Sequence, residues 1–224
     1  MYLGLNETIH VFKKTITEFI VVANQSIDWR WHNRIPVGII SVVNGVQDQG
    51  KCGAGWAFAA VGALDAFAEL QQRSGRFRFS VQQIIDCSGN VDGCTGGHID
   101  KALEYTSKIG IEDTLTYPYT GIQGVCKSDS QKAHFRNGGY DFANSDHDLQ
   151  KALNELPVAI SVQADLDVFR FYTSGILDSD DCGTDVNHGA LAVGYDVIGN
   201  KGFWIVKNSW GKSWGENGYI RIAR

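Results

Sequence analysis

From Gly55 to Leu70 the chain reads Gly-Trp-Ala-Phe-Ala-Ala-Val-Gly-Ala-Leu-Asp-Ala-Phe-Ala-Glu-Leu, apolar at nearly every position. An apolar stripe would mark a helix lying on a core, whereas apolar residues all round mark one buried through its length. Ser80 with Gln83 forms a capping-box signature ahead of Ile84 and Ile85, which predicts a second helix start. A third helix is expected over roughly Gly97 to Lys108, presenting Ile99, Ala102 and Leu103, with Gly110 suited to its C-terminal cap. Ser145 to Leu156 reads as one more capped helix. From about Pro157 the rhythm changes. Pro157 to Val162, Gly189 to Tyr195, Gly202 to Lys207 and Gly218 to Arg224 are short β-type runs punctuated by Gly, Asn and Asp. Helices followed by strands predict an α+β architecture, with a cleft between two lobes as a common place to bind a ligand.

Composition narrows this picture. With 224 residues, one large domain or two lobes are expected, and the 43% hydrophobic residues suffice for a packed core. The net charge of -5, with no basic stripe, speaks against a phosphate-binding surface, so nucleic acid is not an expected partner. The longest apolar runs, Phe19 to Ala23 and Ile35 to Val43, fall short of the roughly 20 residues that cross a bilayer. The N-terminus lacks a basic segment followed by a signal-like stretch, so a secretory signal would lie outside this sequence.

Of the five cysteines, Cys52, Cys87, Cys94 and Cys126 cluster in one half beside Gly-rich turns, as cross-links formed in an oxidising compartment do. No two make a CxxC pair, so neither zinc nor any other metal is expected. Four cysteines allow three pairings, and their spacing does not choose among them.

Three separated segments carry the chemistry. They are Gln49-Gly50-Lys51-Cys52-Gly53-Ala54-Gly55-Trp56-Ala57-Phe58, Val186-Asn187-His188-Gly189-Ala190-Leu191-Ala192-Val193-Gly194-Tyr195 and Lys207-Asn208-Ser209-Trp210-Gly211-Lys212-Ser213-Trp214-Gly215-Glu216-Asn217-Gly218-Tyr219. Each resembles a signature block of papain and the cathepsins, in that family's order. Asp28-Trp29-Arg30 and Gly93-Cys94-Thr95-Gly96-Gly97 match two further landmarks, and the likeness runs from about Ser26 to Arg224. The resemblance implies a two-lobe fold, a helical lobe over about 48–134 and a β-barrel-like lobe over about 135–224, with a peptide-binding cleft between them. It implies no cofactor.

In that family a cysteine at the start of the buried helix attacks a peptide carbonyl, its thiolate favoured by the helix dipole and an imidazolium. A histidine then protonates the leaving amine, an asparagine orients the histidine, and a glutamine side chain with the cysteine's backbone N–H holds the oxyanion. Carried over by resemblance, Gln49, His188 and Asn208 take these places. Trp210 takes that of the tryptophan shielding the His–Asn contact, and Gly97, Ser161 and Gly189 join it in the substrate cleft. Where the family reads Cys-Gly-(Ser/Ala)-Cys-Trp, this chain reads Cys52-Gly53-Ala54-Gly55-Trp56. Gly55 stands at the nucleophile's place and has no side chain to attack with. The resemblance pairs Cys52 with Cys94 and Cys87 with Cys126, and matches Cys182 to a cysteine whose partner belongs to a closing segment not in this sequence. Residues 1–25 resemble the tail of an inhibitory pro-segment through Leu3-Gly4-Leu5-Asn6-Glu7 and Thr17-Glu18-Phe19, and Ile35 to Ile40 reads as an insertion. Glycosylation sequons at Asn6 and Asn24 agree with a secretory route ending in a lysosome, a vacuole or outside the cell.

The expected function is therefore a papain-like pseudoprotease that binds peptide or protein segments without cutting them. Two other readings stay open at this point: an active cysteine endopeptidase in which Gly55 replaces a natural cysteine, and a non-catalytic storage or matrix protein.

Overall fold

The long apolar run becomes a helix, α1 (Gly55–Gln72), whose Ala57, Ala60, Ala63, Leu64, Ala66 and Ala68 are wholly buried. It is enclosed on several sides at once, by two further helices and by the sheet. The computed structural model describes residues 9–11, 26–31, 41–72, 77–89 and 93–224. The pro-segment-like motifs, the sequons' asparagines and the Ile35 to Ile40 stretch lie outside the described residues.

Two short strands, β1 (Ile9–Val11) and β2 (Ile27–Asp28), precede α1, and α2 (Val81–Cys87) and α3 (Ile99–Lys108) follow it. The capping box of α2 forms only by half. Ser80 Oγ accepts the Gln83 backbone N–H at 2.9 Å, but Gln83 does not reach back. Its side-chain oxygen accepts the Glu112 N–H at 2.7 Å, and the Ser80 N–H goes to the Glu112 carbonyl at 2.9 Å. A tertiary partner thus replaces the local one. Helix α3 starts at Ile99 rather than Gly97, and Gly110 follows its end with φ +93, a left-handed conformation suited to glycine.

Next come β3 (Asp141–Ala143), α4 (Asp146–Leu153), β4 (Val158–Val162), the single turn α5 (Asp167–Arg170), β5 (Ile176–Leu177), β6 (His188–Ile198), β7 (Lys201–Lys207) and β8 (Tyr219–Ala223). Helix α4 is capped as expected, Ser145 Oγ accepting the Asp148 N–H at 3.1 Å, but it ends at Leu153. The strands form one sheet in the order β3-β1-β4-β6-β7-β8-β5, antiparallel except for the β5–β8 pair, with β2 pairing β6 as well. Strand β6 is the organiser. Its first half pairs with β4, its second half with β2 on that same side, and β7 runs along its other edge past an irregularity between Ala192 and Gly194. The architecture is α+β, as the hydrophobic pattern predicts.

Near the start of the matched region, Asp28 and Arg30 form an ion pair at 2.6 Å, and the buried Trp29 donates its indole N–H to the Leu153 carbonyl at 2.8 Å. Two disulfides, Cys52–Cys94 and Cys87–Cys126, tie the loops around α1 to α3, and Cys182 is free. Among the described residues no helix is long and apolar enough to cross a membrane.

Candidate active site

The N-terminus of α1 and the start of β6 meet where glycine permits them to. A Cβ on Gly189 would lie 2.6 Å from Trp56 Cα and 2.9 Å from the Gly55 carbonyl carbon, so only glycine lets strand and helix approach this closely. Gly97 serves the opposite wall: a Cβ there would collide with the Trp56 indole, whose N–H donates to the Gly93 carbonyl at 3.2 Å.

The 47–49 loop is zipped to the segment after β7. The Gln49 N–H donates to the Ser209 carbonyl at 2.8 Å and the Gly211 N–H to the Gln47 carbonyl at 3.0 Å. Side chains complete the join. Ser209 Oγ donates to Gln49 Oε1 at 2.6 Å, and Gln49 Nε2 donates to the Cys52 carbonyl at 2.9 Å. One amide hydrogen of Gln49 is therefore committed within the loop, and the other remains for a ligand.

Asn208 is buried beside this join. Its Oδ1 accepts the Ser209 backbone N–H at 2.8 Å, which identifies that atom as the amide oxygen. The same oxygen lies 2.8 Å from His188 Nε2, so the imidazole must donate there, and its Nδ1 keeps the lone pair. The Asn208 Nδ2 has no protein partner. A cavity of about 20 Å³, enough for one water, lies behind it, lined by Asn208, Lys207, Ser209 and Leu191 among others.

Trp210 packs on the imidazole, its ring centroid 5.1 Å away, and is held in turn by Phe169 at 5.5 Å and Trp214 at 5.3 Å. It lies behind the histidine and is not among the residues lining the cleft. Burial pushes the His188 pKa below its ordinary value, and the Asn208 hydrogen bond offsets part of that shift. The neutral imidazole is the favoured form.

The other edge of the ring points at Gly55. A Cβ built on Gly55 would collide with His188 Nδ1 and Cε1 and stand 3.0 Å from the Gly189 carbonyl oxygen. The imidazole thus fills the room that a side chain at position 55 would take.

In front of it opens a cleft of about 280 Å³, with Gln49, Gly55, Gly97, Ser161, His188 and Gly189 among its lining. The structure therefore brings together Gln49, Gly55, His188 and Asn208 from three separate stretches of chain, with Gly97 and Ser161 also in the lining of the cleft. His98 and Asp100 also line the cleft and were not singled out from sequence, although they directly follow the Gly93 to Gly97 landmark. Ser209, which orients both Gln49 and Asn208, was missed too; a hydroxyl between two matched residues was its only signal. Asp65 and Lys207 are buried polar residues beneath the site. Asp65 accepts from the Phe79 N–H and from Asn44, each at 2.9 Å; burial raises its pKa and lowers that of Lys207, each charge favouring the other. An acid in the middle of the apolar run that forms α1 was its sequence signal. Among the described residues no group of three or more His, Cys, Asp or Glu gathers as a metal site.

Comparison with known proteins agrees with this geometry. Residues 23–224 match the family described as papain family cysteine protease. The cysteine endopeptidase RepA of Oryza sativa subsp. japonica is 40% identical over 89% of this chain and 52% of its own length. A cathepsin L-like proteinase of Fasciola hepatica is 39% identical over 88% of this chain and 60% of its own. The chain thus spans about half the length of the curated relatives it matches. Among solved structures, digestive procathepsin L 3 of Tenebrio molitor larval midgut superposes with a TM-score of 0.82 at 32% identity, over 99% of this chain and 71% of that one. The Carica candamarcensis cysteine protease CMS1MS2, solved in complex with E-64, gives a TM-score of 0.76 at 34% identity, over 90% and 89%. The chain belongs to the papain family of cysteine proteases.

Proposed function

We propose that this chain is a proteolytically inactive member of its family that retains the cleft and binds peptide segments there. One observation carries the reading: the first residue of α1, facing His188 Nδ1 at the floor of the cleft, is glycine. The histidine and its asparagine are set for general acid–base work, but no side chain in contact with the imidazole edge can form an acyl intermediate. Removing the nucleophile from such a unit lowers kcat on the order of a million-fold. Two disulfides suit an oxidising compartment, so a secretory route to a lysosome, a vacuole or the outside of the cell goes with this reading.

The test is hydrolysis of a fluorogenic dipeptidyl amide by the protein and by Gly55→Cys, with and without reductant. The parent is expected to release no fluorophore and Gly55→Cys to release it in a thiol-dependent way, once the ring yields the space it now fills. Cleavage by the parent that depends on His188 would overturn the reading, and a silent Gly55→Cys would remove the claim that the rest of the site is intact.

A further inference from the structure

We propose a second, non-proteolytic activity at this site: His188 Nδ1 is itself a nucleophile that accepts acyl groups from activated esters entering the cleft. The same bare Gly55 underlies the proposed function, but peptide binding is not required. Three observations converge. The Ser209 N–H fixes the orientation of the Asn208 amide, which fixes the imidazole tautomer and leaves the lone pair on Nδ1. That nitrogen is held where a side chain on the first residue of α1 would stand. It borders the open cleft together with Gln49, whose second amide hydrogen is uncommitted. In the first turn of α1 the Ala57 and Phe58 N–H groups donate to the Ala54 carbonyl at 2.9 and 3.0 Å, which leaves the N–H groups of Gly55 and Trp56, both cleft-lining residues, as further donors. Burial keeps the ring neutral and therefore nucleophilic near pH 7.

The Nδ1 lone pair forms a bond to the acyl carbon of an aryl ester, and the carbonyl electrons move onto oxygen, within reach of the N–H donors. The tetrahedral adduct collapses, the carbon–oxygen bond to the leaving group breaks, and a phenolate departs. Water then attacks the acyl imidazolium, the carbon–nitrogen bond breaks, and a carboxylate and protons leave as the neutral imidazole returns. Net, an ester and water give a carboxylic acid and a phenol. The chemistry also selects its substrates. An activated phenolate such as nitrophenolate competes with imidazole in leaving the adduct, whereas an alkyl amine does not, so the same ring is inert towards peptide bonds.

The experiment uses p-nitrophenyl acetate with the full chain, following nitrophenolate release and locating acetyl groups by mass spectrometry after a rapid denaturing quench at neutral pH, where an acyl-imidazole outlasts its protonated form. The variants are His188→Ala, Gly55→Ala and, as a control, the exposed His147→Ala. Release is expected to fall about tenfold or more in His188→Ala, the scale of a held over a free nucleophile. Acetyl should map to His188 in the parent, Gly55→Ala should fall towards His188→Ala because its methyl displaces the ring, and His147→Ala should match the parent. Should His188→Ala fail to fold, Gly55→Ala decides, since alanine is the better helix residue. Undiminished release in either variant overturns the proposal. So does His188-dependent release with no acetyl on His188, which would make the ring a base for water. Loss of acetyl transfer would leave the thiol-dependent cleavage expected of Gly55→Cys untouched, so the two proposals fail separately.

Discussion

The two edges of the His188 ring look onto regions that differ sharply. On the Nε2 side there is Asn208, backed by Ser209, by the 47–49 loop through Gln49 and by the Trp210, Phe169 and Trp214 rings. On the Nδ1 side there is bare backbone, with Gly55 and Gly189 in close approach. The first region is held by reciprocal hydrogen bonds and aromatic packing. The second is held by the absence of side chains. The contrast teaches that orienting a catalytic group and supplying its reaction partner are structurally separable, and that the orienting half, being woven into the fold, persists when the partner is gone.

The largest effect is expected on the bare side. Gly189→Ala places a methyl against the backbone of Trp56, which cannot move without shifting α1, and should cost about 3 kcal/mol. Chemical denaturation would show it as a lower midpoint at unchanged slope, and an unshifted midpoint would mean that helix and strand are not in such close contact. On the woven side a smaller loss is expected. Asn208→Ala removes one hydrogen bond to the imidazole and one to the Ser209 N–H, while also removing the partnerless Nδ2, for a net cost of about 1–2 kcal/mol. Because that bond favours the imidazolium, the variant should also titrate His188 at a lower pH, read from the ring proton shifts by NMR. A higher titration point would contradict the assigned tautomer.

The smallest effect concerns pH. The folded pKa of His188 lies below its ordinary value of 6.5, so as pH falls the unfolded chain takes up this proton first. Its contribution to stability is complete above pH 6.5 and is lost as pH drops from there through the folded value. His188→Gln should flatten the stability profile over that acidic window relative to the parent, and parallel profiles would sink the expectation.

The sequence makes some of this legible and hides the rest for physical reasons. Helix α1 could be read because its apolar residues go all round, and β4, β6, β7 and β8 because each is long enough to show a strand pattern. Strands β1, β2, β3 and β5 span two or three residues, too few for any period, and exist only through their partners. Gln83 looked like a local cap and is taken by Glu112, 29 residues away, because a buried N–H there requires an acceptor. The order of motifs made Gln49, Gly55, His188 and Asn208 readable as one group. Their spacing did not say that the imidazole would stand in the room left beside Gly55, since that depends on how closely β6 approaches α1.

Strand β6 has a consequence for how the molecule opens. Its amides are paired with β4, β2 and β7 and covered by α1, so they should be among the slowest to exchange with solvent deuterium. His188 is its first residue, set opposite Val162, and the preceding stretch from Asp178 to Asn187 belongs to no strand or helix. The histidine is thus anchored at the end of a well-paired strand. Val186 and Asn187, which lead into it from outside the ladder, line the cleft, so the chain that shapes the cleft should exchange faster than the strand that holds the ring.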